Sequence, residues 1–309
     1  LLYSVPVPAQ TGVSNTSVTM NAASMENSGF EFSATYRNRD HAFKYDISAN
    51  LSTLKNKVTS LGIGKDSYIS GAYATYVGQE IGQFYGWVYE GIARTQADLD
   101  NHATQQGVNV GDCLYKDISG PEGTPDGVID AYDQTVLGSG LPKVNFGLST
   151  HMEYKGFDLN ISTYGVLNYH VSDDIYNSLN SCYGYGNKEV GMLDANRWSE
   201  DGTYLSSVPR TYAANNATLA WNDLFCSRKI QNAAYWKIAN VELGYNFPDK
   251  WFGGYVSGVR LYVSAQNLYT FTGYHGYNVD YAGGTFTPGY NFCSFPSART
   301  FMAGLHFTF

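Results

Sequence analysis

Seven segments of this chain alternate apolar and polar side chains with a period of two. That period sends successive side chains to opposite faces of a strand. In 30–37, Phe30, Phe32, Ala34 and Tyr36 alternate with Glu31, Ser33, Thr35 and Arg37. In 43–52, Phe43, Tyr45, Ile47, Ala49 and Leu51 alternate with Lys44, Asp46, Ser48, Asn50 and Ser52. The same pattern runs through 144–154, 157–163, 239–247, 259–266 and 301–309, with weaker strand signals near 71–78 and 83–92. No long segment carries a helical period. The chain reads as all-β, with antiparallel strands.

Composition narrows the class. Among 309 residues there is no run of 18 apolar side chains, which a membrane-spanning helix requires. Aromatic residues make up 16%, with 27 Tyr and 16 Phe, while charged residues reach only 15%. A disordered chain lacks such aromatics, and a coiled coil is rich in Glu, Lys and Leu. With 19 basic against 27 acidic residues the chain is no general nucleic-acid binder. Cys113, Cys182, Cys226 and Cys293 lie far apart with no CxxC pair, which argues against zinc. The opening Leu1-Leu2-Tyr3-Ser4-Val5-Pro6 has neither the basic start of a signal peptide nor an initiator Met. A mature protein or a piece of a longer one is expected.

Alternation alone fits two architectures: a soluble β-sandwich, whose apolar face is a core, and a membrane barrel, whose apolar face meets lipid. The connections favour the barrel. Short turns at 38–41, 155–156 and 248–257 alternate with long links at 53–70, 93–142, 168–234 and 272–297. Outer-membrane barrels have short periplasmic turns and long external loops. At the short-turn end the apolar register closes on Tyr36, Phe43, Tyr45, Tyr154, Phe157, Tyr245, Phe247, Phe307 and Phe309, as a membrane interface selects. Counting the piece before Pro6 gives about ten strands. An open sheet of that kind leaves unpaired edges in hydrocarbon, so further strands must close it.

Beyond the pattern, particular motifs resemble a known family. They are Leu2-Tyr3-Ser4-Val5-Pro6-Val7-Pro8, Asn27-Ser28-Gly29-Phe30-Glu31, Ile81-Gly82-Gln83-Phe84-Tyr85-Gly86 and Asp126-Gly127-Val128-Ile129-Asp130-Ala131-Tyr132-Asp133. Pro142-Lys143, Tyr154-Lys155-Gly156-Phe157-Asp158-Leu159 and Lys237-Ile238-Ala239-Asn240-Val241-Glu242-Leu243-Gly244-Tyr245 follow. Val263-Ser264-Ala265-Gln266-Asn267-Leu268 and Phe295-Pro296-Ser297-Ala298-Arg299-Thr300-Phe301 complete the set. In this order they resemble the C-terminal half of SusC/RagA-type TonB-dependent transporters. The resemblance implies an antiparallel transmembrane β-barrel of about 22 strands, of which residues 1–309 supply roughly the last ten. No plug domain is recognisable in the chain. Further implications are a Gram-negative outer-membrane location in contact with lipid, and a SusD-like lipoprotein partner. The remaining N-terminal barrel and plug, and the TonB complex acting through that part, are implied as well. The implied substrates are oligosaccharides or peptides, imported without enzymatic chemistry. The runner-up reading is a soluble β-sandwich carbohydrate-binding module.

Two residue sets are candidates for binding. Tyr183, Tyr185, Trp198, Trp221, Tyr274 and Tyr277 lie in the long links, where aromatic faces can stack on sugar rings. The alternative is that each ring packs inside its own loop. Asp117, Ser119, Asp126, Asp130 and Asp133 resemble a calcium loop, with oxygen ligands spaced by two and Gly at the turn. There Pro121-Glu122-Gly123-Thr124-Pro125 interrupts the spacing, and an acidic turn held by Asx hydrogen bonds is the alternative. No cofactor is required by either reading, and no catalytic constellation stands out.

Overall fold

The structure, a computed structural model, describes residues 2–6, 17–21, 23–62, 64–181, 187–190, 198, 208–211, 221–252, 256–280, 283–292 and 294–308. The seven alternating segments become seven strands of one sheet: β1 (Glu31–Asn38), β2 (Phe43–Thr53), β3 (Val144–Tyr154), β4 (Phe157–Leu167), β5 (Tyr235–Phe247), β6 (Gly258–Thr272) and β7 (Thr300–Thr308). Each pairs antiparallel with its sequence neighbours, so the sheet is a plain meander. The piece before Pro6 forms a separate hairpin, Leu2–Pro6 with Ser17–Asn21. The weaker signals at 71–78 and 83–92 do not join the large sheet. They fold into Tyr73–Tyr76, Gln83–Gly86 and Tyr89–Ile92, which pair in small sheets above it.

Register explains why one face is apolar from edge to edge. Phe43 lies beside Tyr154, Tyr154 beside Phe157, Phe157 beside Tyr245 and Tyr245 beside Leu261. Higher up, Ile47, Thr150, Ile161, Val241, Ala265 and Phe301 form a second row. Among the described residues no second sheet covers this face: Phe32 is 64% exposed and Phe301 69%. A sandwich would bury such side chains, because that face would be its core. The uncovered apolar face is what lipid requires. Phe307 sits on it as expected, beside Val259; Phe309 lies outside the described residues.

The short-turn end is built locally. Lys155 and Gly156 both adopt positive φ, 48° and 87°, which is the two-residue turn whose twist matches flanking strands. Around it lies the expected aromatic girdle, with Phe157 and Tyr245 at 4.7 Å and Tyr245 and Phe247 at 4.9 Å between ring centroids. A second girdle exists at the opposite end, where Trp236 stacks on Phe271 at 5.4 Å and Tyr269 meets Phe271 at 4.7 Å. Alternation read straight through β5 hides it. Ala239 is bulged out of the ladder, and opposite it β6 carries the extra residues Asn267 and Leu268, with Asn267 at φ 51°. One extra residue flips every later side chain to the other face, so Trp236 and Ile238 join the apolar rows although Val241 and Leu243 are odd-numbered. The rows of Tyr154 and Phe146 are ~26 Å apart along β3 at ~3.3 Å per residue. At a strand tilt of ~40° that is ~20 Å of barrel height, suited to an apolar band between two girdles.

Candidate functional site

The face opposite the apolar rows is polar and charged. One of its rows reads Arg37, Asp46, His151, Asn160, Glu242 and Ser264 across six strands. Near the short-turn end these side chains form an ion network. Arg260 donates from Nε to Asp158 Oδ2 at 2.9 Å and from Nη2 to Glu242 Oε1 at 2.7 Å. Asn246 donates to the same Asp158 oxygen at 2.8 Å. A Cβ at Gly244 would lie 2.6 Å from Asp158 Oδ2, so the glycine leaves room for this pair. His151 Nε2 lies 2.8 Å from Glu153 Oε1, and Lys44 Nζ lies 3.6 Å from Glu153. Arg39 pairs with Asp46 across the first turn. Charges of both signs facing inward suit a wet lumen and would be costly against lipid.

At the long-loop end the polar face rises into a cavity of about 340 Å³ lined by Lys237, Tyr277, Asp280 and Arg299 among others. Lys237 on β5 is buried, with Nζ 2.6 Å from Asp280 Oδ2 and 5.8 Å from the centroid of the Tyr164 ring. The Tyr164 hydroxyl donates to Asp280 Oδ1 at 3.2 Å. Neither Lys237 nor Asp280 stands out in the sequence. Only the bulge at Ala239, which sets the side of the sheet for Lys237, and the return of the 273–299 loop bring them together.

Above the barrel, the long links pack on one another. Asp112 is 1% exposed and receives a forked pair of bonds from Arg210, Nε to Oδ1 at 2.7 Å and Nη2 to Oδ2 at 2.9 Å. Asn222 donates to Asp112 at 2.8 Å and accepts the Cys113 N–H at 2.7 Å. A core of Cys113, Tyr115, Ile129 and Cys226 lies alongside, with Trp87, Tyr89 and Trp221 against it. Burial pushes the Tyr89 phenol up to about 12. Residues 93–142 therefore form one layer with the described residues 208–211 and 221–232.

The candidate aromatic residues separate clearly. Tyr183 and Tyr185 lie outside the described residues. Trp221 packs on Tyr115 at 6.0 Å between centroids and donates from its indole to the Gln106 carbonyl at 2.8 Å. The Trp198 ring fills the space that a Cβ on Gly111 would need. Tyr274 is only 6% exposed, and its hydroxyl donates to Asp173 and accepts from Asn291. Burial raises its phenol pKa, which keeps it a neutral donor. The expectation that Tyr274 offers a stacking face is thus corrected: its ring is part of a loop core. Tyr277 is 65% exposed and lines the cavity.

The acidic loop is also engaged with itself. Asp133 is fully buried and accepts N–H groups from Ile118 at 2.8 Å, Ser119 at 3.1 Å and Asp130 at 2.8 Å. Asp130 accepts from Tyr132 N at 2.8 Å, Asp126 from Val128 N at 3.0 Å, and Asp117 from Gly127 N at 2.7 Å. Among the described residues no three His, Cys, Asp or Glu side chains gather as a cation shell. Each of these four aspartates accepts at least one backbone N–H, and Asp126 and Asp130 do so in Asx turns.

Comparison with known proteins bears on the whole chain. No family model matches it. Over its full length it is 31% identical to "TonB-dependent receptor P3" of Formosa agariphila and 26% identical to "TonB-dependent receptor SusC" of Bacteroides thetaiotaomicron. It superposes on the solved RagAB peptide transporter with a TM-score of 0.76 at 22% identity, over 99% of its length. Over its whole length the chain is similar to part of a SusC/RagA-type TonB-dependent transporter. It spans about a third of the curated relatives it matches, 31% of the Formosa protein and 29% of the Bacteroides one, and 31% of the RagAB chain. The structural likeness supports the fold; the sequence relatives carry the family. SusC/RagA-type barrels lie in the Gram-negative outer membrane, and the relatives are receptors and transporters, not enzymes.

Proposed function

We propose that residues 1–309 form the C-terminal part of the barrel of a TonB-dependent importer of nutrient oligomers. The observation that supports this most is the pairing of an uncovered apolar face, girdled by aromatic rings at both ends, with a charged opposite face under a layer of long loops. Import of glycans or peptides follows from kinship with receptors of this type and needs no catalytic group in the wall. β1 and β7 are the edges of the sheet. Each unpaired backbone group on them would cost several kcal/mol in hydrocarbon, so the remaining N-terminal barrel closes the wall around a plug that faces the ion network. A SusD-like lipoprotein would close over the loop layer, and TonB would act through the plug. The test is uptake of labelled oligosaccharide and peptide pools by cells carrying or lacking the full-length protein, with co-purification of a surface lipoprotein. Uptake that depends on the protein supports the reading; equal uptake without it overturns it.

For the acidic loop we propose the turn reading over calcium. Replacing Asp133 with Ala leaves three N–H groups without their acceptor, at about 1–3 kcal/mol for each that stays buried. Amide exchange in 117–133 should rise sharply in that variant, and millimolar calcium should leave the parent unchanged. Calcium-dependent protection that disappears in Asp126→Asn would restore the cation reading.

A further inference from the structure

The cavity at the long-loop end of the polar face has a charge imbalance that the import reading does not use. Three of its lining residues are of a charged type: Lys237, Asp280 and Arg299. Lys237 and Asp280 neutralise each other at 2.6 Å, and the Tyr164 hydroxyl occupies the other Asp280 oxygen. The acid is therefore tied down on both oxygens and does not reach for a second cation. Among the described residues Arg299 has no ion-pair partner. It precedes Thr300, the first ladder residue of β7, so its side chain is not fixed by strand pairing. The lining thus carries one net positive charge in a chain whose formal net charge is −8. Tyr277, largely exposed, supplies an aromatic face to the same cavity.

Resting on the import reading, we propose that this cavity is a recognition subsite for a carboxylate carried by the transported oligomer. A guanidinium presents parallel N–H donors that match the two oxygens of a carboxylate, and one net charge suits a monoanion. The Tyr277 ring then covers the apolar side of the unit bearing the carboxylate. The neutralised Lys237–Asp280 pair forms a polar floor that neither attracts nor repels a net charge. A uronic acid in a glycan and the C-terminus of a peptide share this chemistry, and the experiment separates them.

The full-length transporter, purified in detergent, is titrated calorimetrically with two probe pairs: digalacturonate against its methyl ester, and a tripeptide against its C-terminal amide. In the pair that matches the substrate, the acid should bind at least tenfold more tightly than its neutral form. Arg299→Gln should remove that preference while leaving the neutral probe unaffected, and Tyr277→Ala should weaken both members alike. Heat-modifiability on a gel reports barrel assembly in each variant. If Arg299→Gln fails to assemble, the acid-against-neutral comparison on the unaltered protein still decides. Equal binding of acid and neutral forms in both pairs, or an unchanged preference in an assembled Arg299→Gln, overturns the subsite. Uptake by cells is read separately. Import without acid preference leaves the import reading standing and removes the subsite, whereas acid-selective binding without import keeps the subsite and removes the import reading.

Discussion

Arg210→Ala should loosen the loop layer at a cost of about 3–5 kcal/mol, because it leaves a buried carboxylate without its cation. Asp112 is 1% exposed, and in the variant only Asn222 and the Asn109 N–H would remain to hold its charge. The reverse substitution, Asp112→Ala, should cost less. The Arg210 side chain is about a quarter exposed, so its guanidinium can turn to water once the acid is gone. Combining Arg210→Ala with Asp112→Asn removes both charges and should recover part of the loss. Hydrogen exchange on the full-length protein is the measurement, read in 87–115 and 221–229 against the strands as internal reference. Equal effects of the two single substitutions would mean that the pair is solvated and contributes little, as exposed ion pairs do. Unchanged protection in the strands is part of the expectation, since among the described residues the hydrogen bonds of Asp112 and Arg210 run to Ala93, Asn109, Gly111 and Asn222 and to each other, not to the barrel ladder.

Which parts of this structure were legible in the sequence follows from the range of the forces involved. β2, β3 and β4 could be read almost residue by residue, because a two-residue period is local and one face of every strand must be apolar. The Lys155-Gly156 turn was legible for the same reason, with Gly in a link of two residues. The second girdle was not, because Ala239 breaks the period that makes β5 readable and transfers Trp236 to the outer face. Neighbours along the chain give no sign of that bulge; it is set by pairing with β4 and β6. The loop layer was illegible for a different reason. Asp112 and Arg210 are 98 residues apart, and no pattern next to either residue in the chain points to its partner. Residue type alone also misled in the aromatic set. Tyr274 and Tyr277 stand three positions apart in one loop, yet one is closed into a core by Asp173 and Asn291 while the other faces a cavity. The acidic loop shows the same ambiguity, since Asp side chains that suit a hard cation equally suit backbone N–H groups.

Ile161→Arg should cost about 2–4 kcal/mol of barrel stability, and Tyr154→Arg only about 0–1 kcal/mol, although both residues lie on the same outer face. The difference comes from depth. Ile161 belongs to the row with Thr150, Val241 and Ala265, midway between the two girdles, where a guanidinium would stand in hydrocarbon. Tyr154 lies in the lower girdle beside Phe157, where an arginine can place its charge among headgroups and its stem along the apolar edge. Neither substitution breaks a ladder hydrogen bond, because both act through the side chain alone. A third variant, Ser162→Arg, turns the same side chain toward the lumen one residue along β4 and should be nearly neutral where water is present. Urea-dependent folding of the full-length protein into lipid vesicles measures all three. A soluble sheet with a packed core would penalise Ile161→Arg and Tyr154→Arg together, since a core has no interface at one end. A graded cost that falls from the midplane to the girdle, and vanishes on the neighbouring residue of the same strand, is the signature of a wall with lipid on one side and water on the other.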